Sequence, residues 1–84
     1  MTALLAADSW LVDDGRARAV ERHWARFSAT CREHGVAPAA LAAFRAEVEG
    51  ALPARGRWFP RVELPADREL AFDRRPAPPR EPTV

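Results

Sequence analysis

The sequence predicts an α+β domain of order β-β-α-α-β-β: a β-hairpin, two amphipathic helices, then two antiparallel strands. Three observations predict it. An Asp14-Gly15 pair separates two short strand-like runs, helical periodicity follows over residues 20–31 and 41–52, and apolar residues then alternate with charged ones around Val62 and Leu64 and again around Leu70 and Phe72.

Residues 8–12, DSWLV, read as a first strand of large apolar side chains, and residues 17–20 as its short return. Asp-Gly between them supplies the positive φ angles of a two-residue hairpin turn. In the first helix, Val20, Trp24, Phe27 and Cys31 follow one another at spacings of four, three and four, which makes them one apolar stripe. Gly35 stands where a left-handed cap ends a helix, and Arg32 and His34 meet the negative end of the helix dipole. Pro38 suits the first turn of a second helix, whose stripe is Leu41, Phe44, Val48 and Leu52 and whose end is Pro53. Residues 58–64 read as a strand with Val62 and Leu64 inward, and Pro60 places that strand at an edge or bends it. Residues 69–74 read as the last strand. From Pro76 onward, PAPPREPTV has no apolar residue before the final valine, so an extended, mobile tail is expected.

The chain has 84 residues, enough for one domain, and a domain of that size buries only about 60% of its unfolded surface. Its 13 basic and 12 acidic residues leave a net charge of +1 with no long run of one sign, which argues against a nucleic-acid arm or a basic membrane patch. Every basic residue besides the two histidines is arginine, so no side chain can form a Schiff base with an aldehyde cofactor. The lone Cys31 cannot close an internal disulfide and is read as a small buried hydrophobe. Residues 1–7 lack the basic start and apolar length of a signal peptide, and a cytoplasmic location is expected. The two histidines, eleven apart with no cysteine pair, do not form a metal site.

Residues 8–27, DSWLVDDGRARAVERHWARF, resemble the start of the class IV, or fold-type IV, pyridoxal-phosphate enzymes: branched-chain and D-amino-acid aminotransferases and aminodeoxychorismate lyases. In that family a strand and an Asp-Gly-Arg turn lead into a helix bearing His-x-x-Arg-Leu. Here His23-Trp24-Ala25-Arg26-Phe27 occupies that place. The next helix and the strand WFPRVEL continue the same element order, so the resemblance spans most of residues 8–76.

The resemblance implies that Arg26 contacts the phosphate of pyridoxal 5'-phosphate, as a forked, permanently charged donor can. It implies that His23 orients Arg26 or lines the cofactor pocket, and that Arg61 faces an amino acid or keto acid substrate. Arg26 lies beside the apolar stripe, so its removal is expected to leave folding almost unchanged. Family enzymes are more than twice as long, and their catalytic lysine, the acidic partner of the pyridine nitrogen and a phosphate-binding helix lie in a second domain. No catalytic residue is therefore assigned to this chain. It reads as a small N-terminal domain over residues 1–76, followed by residues 77–84 resembling the start of an interdomain linker.

Such a domain supplies a cofactor-phosphate contact and dimer surface, works as a homodimer or with a complementing lysine-bearing domain, and is expected to hold pyridoxal 5'-phosphate only with such a second domain. The other reading is a non-catalytic interaction module or truncated remnant without cofactor. Two helices can cover only one side of a four-stranded sheet, which leaves an apolar face around Leu11 or Phe59 and predicts self-association.

Overall fold

A computed structural model describes residues 3–77. It is α+β, with strands β1 (Leu4–Ser9), β2 (Val12–Asp13) and β3 (Arg16–Ala17), helices α1 (Val20–Glu33) and α2 (Pro38–Ala51), and strands β4 (Arg57–Trp58), β5 (Arg61–Pro65) and β6 (Ala71–Asp73). All strand pairs are antiparallel and lie in two three-stranded sheets, ordered β1-β5-β6 and β3-β2-β4.

Two strands read as continuous in the sequence are each broken in two. Residues 8–12 straddle the end of β1 and the start of β2, with Trp10 and Leu11 crossing between sheets, and β1 itself begins earlier, at Leu4. Residues 58–64 divide into β4 and β5 at Phe59 and Pro60. Pro60 is buried and has no N–H for a ladder, so the second crossing falls where pairing could not continue.

The punctuation of the sequence is realised in the backbone. Asp14 (φ 48°) and Gly15 (φ 81°) form the two-residue turn between β2 and β3, and the Gly56 amide donates to Asp14 Oδ1 at 2.8 Å, tying the hairpin to the loop after α2. At the end of α1, Gly35 has φ 86°, its amide donates to the Arg32 carbonyl at 3.0 Å, and the Val36 amide reaches the Cys31 carbonyl at 3.1 Å. These are the two bonds of a Schellman cap. Pro38 occupies the first turn of α2.

The core contains Trp10, Val12, Trp24, Phe27, Cys31, Leu41, Phe44, Val48, Val62 and Leu64. Trp24 meets Trp10, Phe27 and Phe44 edge-on at centroid separations of 5.2, 6.1 and 6.1 Å, favourable geometry for aromatic rings. Burial pushes the Cys31 thiol up to about 11, as expected of a thiol packed as a hydrophobe. Helix α1 packs on β1, and α2 reaches β6 through Phe44 and Phe72, whose rings lie 5.9 Å apart.

Cross-strand partners share a face, so Val62, paired with both Asp8 and Phe72, sets the inward face of its sheet, and Ala7, Ser9, Arg61 and Glu63 point outward. The outward face is therefore mostly small and charged, with Leu4, paired to Pro65, as its exposed large apolar side chain. Leu11 and Phe59, expected on an uncovered apolar face, instead sit in the two crossings, both partly buried, with the Arg75 guanidinium 5.6 Å from the Phe59 ring centroid. Pro76 bridges to Trp58, and the Ala77 amide donates to the Arg57 carbonyl at 2.9 Å, so the chain is still tied down at its last described residues. The remainder of the expected tail, residues 78–84, lies outside the described residues.

Candidate functional site

Asp8, Trp10 and Val12 alternate along the chain, and all three are buried. A carboxylate at such a position must find donors, because an isolated charge cannot be held in an apolar interior. Helix α1 supplies them. Its residues 23 and 26 are one turn apart on the side that passes over β1, and both reach Asp8.

Arg26 makes a forked contact: its Nε donates to Asp8 Oδ2 and its Nη2 to Asp8 Oδ1, each at 3.0 Å. His23 Nδ1 lies 2.9 Å from Asp8 Oδ1. An ionised carboxylate can only accept, so Nδ1 carries the hydrogen in this contact, and in the neutral ring Nε2 is left with the lone pair. The Trp10 ring stacks on the imidazole at 5.8 Å and 26°, which fixes its plane. One carboxylate thus sets the orientation of both helix side chains.

The two ends of this cluster differ in exposure. The Asp8 side chain is 5% exposed, whereas that of Arg26 is 64% exposed. Nε and Nη2 face the carboxylate, and Nη1, with two N–H donors, takes no part in those contacts. The guanidinium is held along one edge and presented along the other. Formal charges of Asp8 and Arg26 cancel, so an anion would be recognised here through directed N–H groups more than through net charge.

Of the residues singled out in the sequence, His23 and Arg26 are brought together. Arg61 is not with them. It pairs with Ser9 on the outward face of β5, and its Nε donates to Glu63 Oε1 at 3.1 Å. The sequence reading passed over Asp8. Its signal was there, since Asp8 shares strand parity with Trp10 and Val12, and an acid on the core face of a strand requires a cationic or hydrogen-bonding partner.

The cluster also changes what Arg26 does for the fold. It lies off the apolar stripe, as expected, yet it supplies two of the hydrogen bonds of a buried carboxylate, so its removal cannot leave folding untouched.

A second ionic cluster lies over the groove between the helices. Arg45 on α2 donates through Nη1 to Glu21 Oε2 at 3.1 Å and through Nε to Glu49 Oε1 at 3.3 Å, with its guanidinium 5.5 Å from the Trp24 ring centroid. The hydrogen bond from Arg45 holds the Glu21 carboxyl below its ordinary range, and Glu21 in turn raises Arg45. All of these charges face solvent to some degree: the side chains of Arg45, Glu21 and Glu49 are 30%, 78% and 53% exposed.

A phosphate fits the first cluster in its donor chemistry, with the Nη1 edge of Arg26 as the group that would meet it. The carbonyl chemistry of pyridoxal phosphate has no partner in this chain, which contains no lysine. No family model, curated protein or solved structure matches the chain. Among the described residues no helix is long and apolar enough to cross a membrane.

Proposed function

We propose that this chain is the N-terminal portion of a class IV, fold-type IV enzyme acting on an amino acid or keto acid, an aminotransferase or an aminodeoxychorismate lyase. Its part is to hold the phosphate of pyridoxal 5'-phosphate. The observation that carries the reading is the presentation of Arg26: Asp8 fixes the guanidinium by two hydrogen bonds while its other edge stays open to a ligand. A preset donor loses less freedom on binding than a free arginine side chain would.

In this reading Arg26 binds phosphate oxygens, Asp8 holds Arg26 in place, and His23 completes the support on the carboxylate. Pyridoxal phosphate, when bound, supplies the electron sink for chemistry at the substrate's α-carbon. The lysine that holds its aldehyde comes from a complementing domain, and the assembled enzyme is a cytoplasmic homodimer. Arg61, on the opposite face of the sheet from Asp8, could act on substrate only across a different surface.

The test is an NMR titration of the 84-residue chain with pyridoxal phosphate and, separately, with pyridoxal. A phosphate held by Arg26 perturbs the Arg26 Nε–H and the α1 amides around residues 23–26 only with the phosphorylated compound, and Arg26→Ala abolishes the response. Equal responses to both compounds, or an undiminished response in Arg26→Ala, would remove the phosphate role.

A further inference from the structure

The charge around Arg26 does not match a phosphate by itself. A phosphate monoester carries about 1.5–2 negative charges at neutral pH, whereas Asp8 and Arg26 together are formally neutral and the His23 Nδ1 hydrogen is directed at the same carboxylate. The open Nη1 edge gives a bound anion its direction. Net attraction has to come from another cation.

Arg22 is placed to be that cation. It stands four residues before Arg26 on α1, one turn along the same helix face, where Cβ atoms are about 5–6 Å apart. It is exposed, and among the described residues no hydrogen bond or ion pair engages it. The acids near it in sequence or space are committed elsewhere. Glu21 reaches across the groove between the helices, where its Oε2 accepts from Arg45 Nη1 at 3.1 Å. Asp8 is 5% exposed and accepts from Arg26, His23 and the Ser9 amide. Glu33, the other acid of α1, is about three turns away. Like charges one turn apart on a helix repel, so the face that carries Arg22 and Arg26 is unfavourable alone and is relieved by an anion held between them.

We infer that Arg22 is a second phosphate-binding residue, which closes on the anion from the turn before Arg26. The two arginines divide the work. Arg26, fixed by Asp8, sets the orientation of the phosphate, and Arg22, which nothing neutralises, supplies the net positive charge. Coulomb attraction scales with the charge of the ligand, so Arg22 favours a phosphate monoester over a singly charged carboxylate at this site. The inference rests on the phosphate role proposed for Arg26 and adds a residue that the resemblance did not assign.

The test is the affinity of the 84-residue chain for pyridoxal phosphate, by NMR titration at low and at high salt, for the parent, Arg22→Gln, Arg26→Ala and Arg32→Gln. Arg32 is exposed near the other end of α1, so Arg32→Gln removes the same charge from the same helix away from the site. Arg22→Gln should bind about tenfold more weakly than the parent at low salt, the worth of one charge-assisted contact, and its affinity should fall less on adding salt, since the screened charge is already gone. Arg32→Gln should stay within about twofold of the parent, being beyond a Debye length of the anion at moderate salt. Parent-like affinity in Arg22→Gln, with binding abolished in Arg26→Ala, overturns the role of Arg22 and leaves that of Arg26 standing. Equal losses in Arg22→Gln and Arg32→Gln overturn it as well, because a general field would then account for both. A parent that does not bind, or an Arg26→Ala variant that binds as the parent does, removes the phosphate role and this inference with it.

Discussion

The two ionic clusters of this domain have the same composition in outline, two charged or ionisable side chains around a central third, but they are built inside out relative to each other. Around Asp8 the centre is a carboxylate, 5% exposed, reached by donors from a neighbouring helix. Around Arg45 the centre is a cation, 30% exposed, and its carboxylates are mostly in water. An exposed pair is screened and contributes little, whereas a buried carboxylate is costly unless every donor is in place. Position, more than number of contacts, separates a cluster that fixes geometry from one that decorates a helix pair. Only the first cluster holds a side chain rigidly while leaving part of it free for a ligand.

The difference can be broken from the buried side first. Arg26→Ala leaves the Asp8 carboxylate with His23 as its remaining side-chain partner and should lower stability by about 1–3 kcal/mol, the cost of an unsatisfied buried acceptor. In a domain of this size each kcal/mol corresponds to roughly 4–8 °C in melting temperature. Asp8→Ala/Arg26→Ala should recover part of that loss, because the orphaned charge is gone. A double variant whose loss equals or exceeds the sum of the two single losses would mean that the two residues do not act as one unit.

On the exposed side the effect should be smaller and dependent on salt and acid. Arg45 lowers Glu21, so in the folded chain that carboxylate gives up its proton more readily than in the unfolded one. The contribution is complete above the unfolded carboxylate range and disappears as pH falls through the lowered folded value. The melting difference between the parent and Arg45→Ala should accordingly be flat above about pH 5, shrink at lower pH, and shrink again in high salt. A difference that grew in acid would reverse the sign of the account.

Much of this arrangement could be read from residue types. Asp14-Gly15, Gly35 and Pro38 each specify a backbone geometry nearly alone, and they appear where expected. The stripes Trp24, Phe27, Cys31 and Leu41, Phe44, Val48 identify the buried helix faces because the helical period leaves few alternatives. What periodicity could not give is where a strand changes sheets. Residues 8–12 and 58–64 keep an apolar character through their crossings, and only tertiary pairing shows that Trp10 and Leu11, or Phe59 and Pro60, belong to neither ladder. The site was half legible for a related reason. His23 and Arg26 lie on one helix at a recognisable spacing, whereas Asp8 is 15 and 18 residues away from them, and its meeting with them depends on α1 packing across β1.

The claim that Asp8 presents Arg26 to a phosphate is tested most directly by the affinity of Asp8→Asn for pyridoxal phosphate, measured by the same titration on the 84-residue chain. Two effects oppose each other in this variant. Removing a negative charge beside Arg26 should strengthen anion binding if the arginine acts only as a charge. Losing the forked contact that fixes the guanidinium should weaken binding if its orientation matters. The account predicts weaker binding, by about tenfold, the worth of one charge-assisted hydrogen bond. Equal or tighter binding by Asp8→Asn would contradict it.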